Sequence, residues 1–149
     1  MSADRRRHWR HLVAGSFTLL AVCGCGASPI TAARIETALA TTFGNLAHLQ
    51  VESMGLPPIA ARELVVTARC RRPVAGSDTG SGDWECAVMW KGPGRQALGD
   101  TYDLFVTTEG CYTATVISEN VGGPVLRTSD GREFRNLLYT FEGCFNLPT

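Results

Sequence analysis

The sequence has no excess of charge of either sign, no long hydrophobic run and few histidines. The 149 residues carry 14 basic and 14 acidic side chains, with a formal net charge of zero and a pI near 6.8. Because a nucleic-acid-binding domain needs a basic surface for phosphates, this balance excludes nucleic acid as a partner. The apolar run Leu12–Val22 is shorter than the roughly 20 residues that cross a bilayer, which excludes a transmembrane helix there.

The motifs of common enzymes are also missing. Beyond residue 24, His48 is the single histidine, and it falls on a predicted helix as an ordinary, partly exposed polar residue. G-x-S-x-G, H-E-x-x-H, P-loop and dinucleotide-binding glycine patterns do not occur. The absence of C-x-x-C excludes dithiol redox catalysis. Hence neither a nucleophilic triad nor a redox centre is expected.

An export signal occupies the start of the chain. Residues 1–11 hold Arg5, Arg6, Arg7 and Arg10 against one acid, and the apolar run follows directly. A basic segment before an apolar run of about 7–15 residues is the layout of a secretory signal. We therefore predict a leader over residues 1–24 and an exported remainder. The six cysteines of this short chain also fit an oxidising compartment.

The end of this leader, LAVCGCG at 20–26, resembles the lipobox of bacterial lipoproteins. The resemblance implies that Cys25, which follows the small Gly24, carries a covalent diacylglycerol and becomes the N-terminus. Cys23 is the poorer candidate because the bulky Val22 precedes it. The group would anchor the domain to the outer face of the plasma membrane, since two acyl chains give stable attachment. The alternative is ordinary secretion with cleavage near Ala27.

After a short tether over residues 25–30, residues 31–149 are predicted to form one α+β domain with a net negative charge. Residues 31–54 have helical periodicity. The predicted buried stripe consists of Ile35, Leu39, Phe43, Leu46 and Gln50. Ser28-Pro29 or Thr31 can cap the start of this helix, and Gly55 is a candidate stop, whereas Gly44 allows a break into two helices.

Strand-like segments follow the helix. The predicted strands cover residues 63–70, 84–91, 101–108, 111–118, 125–128, 132–134 and 137–141. A tight turn is expected at Glu109-Gly110. This order predicts an N-terminal amphipathic helix packed on an antiparallel meander sheet, a layout that cystatin-like domains share and that carries no function by itself.

Four cysteines remain after Cys25, and four allow three pairings. We predict Cys70–Cys86, which joins the end of one strand to the start of the next, and Cys111–Cys144. The second pair rests on a repeated Glu-Gly-Cys-aromatic segment at 109–112 and 142–145. Zinc is the rival, but the spacings lack a C-x₂-C pair and export disfavours free thiolates. Neither a metal nor a cofactor other than the lipid is expected.

Two groups of side chains are candidates for a binding or catalytic surface. Alternation along a strand puts the carboxylates of Asp83 and Glu85 on the same face, and a second pair, Asp100 and Asp103, flanks Tyr102. Paired carboxylates suit glycan chemistry or calcium binding. The alternative is that they form the solvated face of a half-buried strand. The candidate aromatic surface consists of Trp84, Trp90, Tyr102 and Tyr112, whose alternative is the core. The basic cluster of Arg69, Arg71 and Arg72 is interpreted as a salt-bridged surface.

The exported part resembles small lipoproteins of Gram-positive bacteria with a high-GC genome. The features that carry this resemblance are the Trp-x-Cys strand at 84–86, the Gly-Cys-Tyr turn at 110–112 and the terminal Gly-Cys-Phe at 143–145. No activity comes with it. We therefore expect a non-enzymatic binding module of the cell envelope with a protein or glycan partner. The alternative is a cell-wall glycan enzyme that uses the strand carboxylates.

Overall fold

In the computed structural model, which describes residues 30–58, 63–73, 78–91 and 96–147, one helix begins the folded part of the chain. Helix α1 spans Ala32–Ser53, and the Thr31 side chain accepts a hydrogen bond from the Arg34 amide, as an N-cap does. Gly55 has a φ of +69°, so the predicted glycine stop is confirmed. The helix continues through Gly44 without the break that the sequence allowed.

Seven strands follow within the described residues. They are β1 (Val66–Arg71), β2 (Gly82–Lys91), β3 (Ala97–Val106), β4 (Cys111–Val116), β5 (Val125–Arg127), β6 (Glu133–Arg135) and β7 (Thr140–Cys144). Five of them form an antiparallel sheet in the order β1-β2-β3-β4-β7, and β5 and β6 pair as a separate hairpin. The α+β prediction of one helix packed on an antiparallel sheet is confirmed.

The last strand lies three residues further along the chain than predicted. The amides of Leu137 and Leu138 do not join a sheet, because the side chains of Gln50 and Asn136 accept their hydrogen bonds at 2.7 and 3.0 Å. Asn136 is itself buried and donates to the carbonyls of Val121 and Gly123, which ties the chain before β5 to the turn before β7. The segment predicted as a strand is therefore a side-chain-bonded turn.

Both predicted disulfides are present. Cys70 lies directly opposite Cys86 across β1 and β2, and Cys111 lies directly opposite Cys144 across β4 and β7. The second pair meets because Gly110, with a φ of +80°, turns the chain between β3 and β4 and accepts a hydrogen bond from the amide of Phe145. The two bridges thus bind each outer strand of the sheet to its inner neighbour.

The core fills the space between α1 and one side of the sheet. The helix buries Ile35, Leu39, Phe43, Ala47 and Gln50. Ala47 takes the place in this stripe that was predicted for Leu46, which is only half-buried. The buried strand residues are Ala68, Trp84, Cys86, Val88, Tyr102, Leu104, Val106, Tyr112, Ala114, Val116 and Phe141. Alternation within each strand leaves the other side of the sheet to solvent.

The helix lies against both outer strands of the sheet, since α1 contacts β1 and β7. On the β1 side, Glu36 Oε1 accepts a hydrogen bond of 2.9 Å from the Cys70 amide. On the β7 side, Tyr112 donates to Thr42 Oγ1 at 3.0 Å, and Arg34 donates to the Asn146 carbonyl at 3.1 Å. The sheet therefore curves around the helix, and the helix lies between its two outer strands.

Candidate functional site

The aromatic side chains that the sequence proposed as a binding surface lie inside the protein. Trp84, Tyr102 and Tyr112 are at most 2% exposed, and Trp90 is half-buried with its ring 4.9 Å from that of Phe43. They alternate onto the helix-facing side of the sheet, where apolar area is removed from water. This corrects the expectation of an aromatic surface, and the alternative that these rings form the core is the observed arrangement.

Two of these phenols are held by specific hydrogen bonds. Tyr102 donates to the Leu138 carbonyl at 2.8 Å, and Tyr112 donates to Thr42. Burial raises the pKa of the Tyr102 phenol, and the nearby Asp100 carboxylate raises that pKa further. Burial also raises the pKa of Tyr112 above its ordinary value, although the bond to Thr42 opposes the shift. Both phenols therefore serve the packing in their neutral form.

The solvent-facing side of the five-stranded sheet, here called the open face, carries a mixed set of side chains. It consists of Thr67, Arg69, Arg71, Asp83, Glu85, Ala87, Met89, Lys91, Thr101, Asp103, Phe105, Cys111, Thr113, Thr115, Ile117, Thr140, Glu142 and Cys144. Phe105 and Ile117 are 58% and 55% exposed. Asp103 lies between them along the register, so these apolar side chains do not merge into one patch.

Three carboxylates line a shallow hollow of about 470 Å³ on the open face: those of Asp83, Glu85 and Asp103. Glu85 and Asp103 are direct cross-strand partners, and Phe105 lies opposite Asp83. Side chains in such positions have Cβ atoms about 4.5–5.5 Å apart. Asp83 and Glu85 lie on the same face of β2, as predicted from the sequence, and β3 adds Asp103 beside them.

Asp100, by contrast, points to the other side of the sheet and is buried. Its carboxylate accepts hydrogen bonds from the Ser118 hydroxyl and the Asn120 and Val121 amides at 2.6–3.0 Å. The expected pairing of Asp100 with Asp103 is therefore wrong, because the two residues are an odd number apart on one strand. The role of Asp100 is to hold the chain that leaves β4, since a buried carboxylate must be satisfied by donors.

The three arginines of the basic cluster have separate partners. Arg69 pairs with Glu36 and Arg71 with Glu85. Arg72 donates to the carbonyls of Thr79 and Ser81 and lies over the Trp84 ring at 5.8 Å. The interpretation of this cluster as a salt-bridged surface agrees with these contacts, and Arg72 acts chiefly as a brace for the turn before β2.

A second concave region, here called the edge groove, runs between α1 and β7 and has a volume of about 840 Å³. Its walls are Ala33, Arg34, Thr37, Ala38, Thr41 and Thr42 from the helix and Cys144, Phe145 and Asn146 from the chain at the end of β7. The helix side is lined almost entirely by small side chains. This groove was not predicted from the sequence, although the small residues at positions 33, 37, 38, 41 and 42 indicate a helix side that leaves space beside it.

The free edge of β7 ends at this groove, and Cys144 is the β7 residue that lines it. The amide of Phe145 bonds to the Gly110 carbonyl, so residues 141, 143 and 145 direct their polar groups toward β4. In an antiparallel ladder the alternate residues then direct theirs outward. Those residues are Thr140, Glu142 and Cys144, and no other strand among the described residues pairs with them.

Other expected site residues are placed as follows. His48 lies half-buried on α1. Within residues 30–58, 63–73, 78–91 and 96–147, no group of three or more acidic, histidine or cysteine side chains is arranged to hold a metal ion, which leaves the calcium interpretation without a site there. Cys25 and Cys23 fall outside the described residues. The helix that is described is not apolar enough along its length to cross a membrane.

Comparison of the chain with protein-family models, with curated proteins and with solved structures finds no match.

Proposed function

We propose that the chain is an exported, lipid-anchored binding domain of the bacterial cell envelope. The observation that supports this best is a sheet whose two outer strands are each bridged by a disulfide while its open face and the edge groove stay accessible. Disulfides persist in oxidising compartments, and a surface fixed before binding loses little freedom when a partner docks. A rigid domain with accessible surfaces is suited to binding a partner.

The lipid on Cys25 determines where that recognition takes place. Residues 25–30 form a short tether in this proposal, so the folded domain stays within a few nanometres of the membrane's outer face. Its net negative charge weakly repels an anionic bilayer. The domain would therefore face other envelope components and not lie flat on the lipid.

The anchor is tested by expressing the full chain in a Gram-positive host fed with a clickable fatty acid. The wild type should carry the label in the membrane fraction, whereas Cys25→Ala should lose it. Cys23→Ala is the matched control and should keep the label. Retention of the label by Cys25→Ala would contradict the assignment to that cysteine, and full-length unlabelled protein in the cytosol would contradict the proposal as a whole.

The binding role is tested with a photo-crosslinking amino acid at Phe105 in the same cells. The matched control position is Arg132, which is exposed on the β5–β6 hairpin. A discrete adduct that forms from position 105 and not from position 132 is the expected result. Equal adducts from both positions would mean random encounter and would contradict a specific contact at the open face.

The hollow on the open face supports a second candidate, a glycan-acting enzyme of the cell wall. Glycosidases use two carboxyl groups about 5–10 Å apart, and the facing pair Glu85 and Asp103 has the position to meet that requirement. Arg71, however, already pairs with Glu85. Release of soluble fragments from purified peptidoglycan by the wild type, and its loss in Asp103→Asn, would favour this candidate over the binding domain.

A further inference from the structure

We infer that the edge groove takes an extended peptide segment of a partner protein, which adds to the sheet as a sixth strand beside β7. This inference rests on the proposed binding function and names its partner chemistry. Addition of a strand to a free sheet edge is a common mode of peptide recognition, in which main-chain hydrogen bonds supply affinity and alternate side chains supply specificity.

The first support is the backbone of β7 itself. Thr140, Glu142 and Cys144 turn their amides and carbonyls away from β4, and the described residues offer them no strand. The next outward carbonyl along the chain, that of Asn146, is already bonded to Arg34 at 3.1 Å. Arg34 thus closes the groove at Asn146, and Cys144 brings an outward backbone position to its lining. Glu142 and Thr140 continue this free edge beyond the groove, and an extended main chain satisfies such backbone groups.

The second support is the contrast with the other edge. At β1 the helix provides an acceptor for one outward amide, since Glu36 accepts a hydrogen bond from that of Cys70. Within the strand, the Arg69 side chain donates to the outward Ala68 carbonyl at 3.2 Å. Toward β7 the helix instead presents Thr37, Ala38 and Thr41, and the two threonine hydroxyls donate to carbonyls of the helix itself and not to the strand. The same helix therefore covers one edge and leaves space beside the other.

Side-chain chemistry then defines the peptide. Residues of an added strand point alternately toward the helix and toward the open face. The helix wall of alanine and threonine leaves room for medium apolar side chains. On the open face, Glu142 is exposed and forms no ion pair within the described part of the chain, so a basic residue opposite it is favoured. The expected ligand alternates apolar and polar residues around a central lysine.

A second copy of this chain is a poorer occupant. Antiparallel pairing of two β7 strands over their whole length would put Glu142 opposite its own copy, and like charges in facing positions are destabilising. The groove volume of about 840 Å³ also suits a single extended segment better than a second sheet with its own helix. A peptide segment meets neither obstacle.

The test uses the full chain in detergent and a fluorescent heptapeptide with the sequence Val-Thr-Leu-Lys-Leu-Thr-Val. Binding is measured by anisotropy, and its position by amide hydrogen exchange. We expect saturable binding that slows exchange at the amides of Glu142 and Cys144, while those of Phe141 and Gly143 stay as slow as before. A central glutamate in the peptide should weaken binding at least fivefold, and N-methylation of alternate amides should abolish it.

Two pairs of variants locate the site. Glu142→Pro removes an outward amide that β4 does not use, and proline is tolerated at such edge positions, so the fold should persist while affinity falls at least tenfold. Its control, Glu142→Gln, keeps the amide and should lose only the preference for lysine. Thr41→Trp fills the groove and should block binding, whereas Leu49→Trp, exposed on the same helix outside the groove, should not.

Several outcomes would overturn the inference. Binding that is unchanged in Glu142→Pro and Thr41→Trp would place the peptide elsewhere, and concentration-dependent dimers of the free chain that Glu142→Pro abolishes would make a second copy the occupant. No binding of any alternating peptide at millimolar concentration would leave Glu142 as a charge that merely guards the edge. If peptide binding holds while the Cys25 label fails, the anchor is wrong and the groove assignment stands. If the label holds without peptide binding, the groove assignment alone fails.

Discussion

The two edges of the five-stranded sheet are built from the same kinds of parts and end in different states. Each outer strand is short, antiparallel to its neighbour and linked to it by a disulfide between directly facing cysteines. At β1, α1 supplies Glu36 to the outward amide of Cys70, whereas beside the end of β7 it presents mostly small side chains along a groove. The same helix therefore treats the two edges differently, and edge strands without such cover are the ones open to pairing.

The largest expected effect concerns the disulfides. Replacing either pair with alanine should cost about 3–4 kcal/mol of unfolding free energy, since the sequence separations are 16 and 33 residues. The local consequences should differ. Without Cys111–Cys144, exchange at the inward amides of β7 should accelerate, whereas without Cys70–Cys86 the strand β1 remains held by Glu36.

Denaturant unfolding and hydrogen exchange of the two double variants, Cys70→Ala/Cys86→Ala and Cys111→Ala/Cys144→Ala, check this prediction. Thiol counting on denatured wild-type protein is the control and should find no free thiol among these four. Equal acceleration of exchange at β1 and β7 in the two variants would refute the difference between the edges.

The next effect concerns Glu36. Removal of its side chain in Glu36→Ala leaves the Cys70 amide without its acceptor and should cost about 1–3 kcal/mol, because an unsatisfied group at a partly buried position is expensive. Glu36→Gln keeps an acceptor and should retain most of that stability. Urea unfolding gives the energies, and faster exchange at Cys70 in the alanine variant alone identifies the cause. A similar loss in both variants would point to the charge and not to the hydrogen bond.

A smaller effect is expected at Tyr112, which links the β7 side of the sheet to the helix. Tyr112→Phe removes the bond to Thr42 and should cost about 1 kcal/mol near neutral pH. Thr42→Val removes the same bond from the other partner and is the matched comparison. Additive losses in the double variant would show that the two groups do not interact, since coupled partners give less than the sum.

The raised phenol pKa values also give a pH dependence. A group whose pKa is higher in the folded than in the unfolded protein stabilises the fold fully below its unfolded pKa, about 10 for tyrosine, and loses this contribution as pH rises through the folded value. The urea midpoint should therefore fall above pH 10, and less steeply in Tyr112→Phe. A midpoint that is constant up to pH 11.5 would contradict the burial of both phenols.

The smallest effect is expected on the open face near β1. Arg71→Ala breaks an exposed ion pair with Glu85 and should change the unfolding free energy by no more than about 0.5 kcal/mol. A loss of more than 1 kcal/mol that disappears at high salt would show that this side of the sheet, too, depends on its charges. Thermal unfolding at low and high salt separates the two results.

The sequence was a good guide wherever a local pattern was enough. The helix stripe apart from Leu46, the candidate cap Thr31 and the stop at Gly55 depend on neighbours within a few residues, and these are observed. The Cys111–Cys144 bridge was predictable because its two cysteines lie in matching Glu-Gly-Cys-aromatic segments, which the structure sets side by side.

Long-range partners account for the failures. The start of the last strand was predicted too early, because the side chain of Gln50, 87 residues away, accepts the hydrogen bond of the Leu137 amide. The edge groove was not foreseen because it depends on where α1 crosses the sheet, which no local period encodes. The aromatic surface failed for a related reason, since alternation along a strand tells which residues share a side and not which side the helix will cover.

Gly143 leaves the room that the Tyr112 phenol needs beside β7. A Cβ atom at this position would lie 2.4 Å from the Tyr112 hydroxyl, which donates to Thr42 on the helix. Any larger residue would displace the phenol and disturb its hydrogen bond to Thr42. Variants at position 143 would therefore shift the phenol by amounts that grow with the size of the side chain, and Gly143→Ala, which adds one methyl group, is the smallest step.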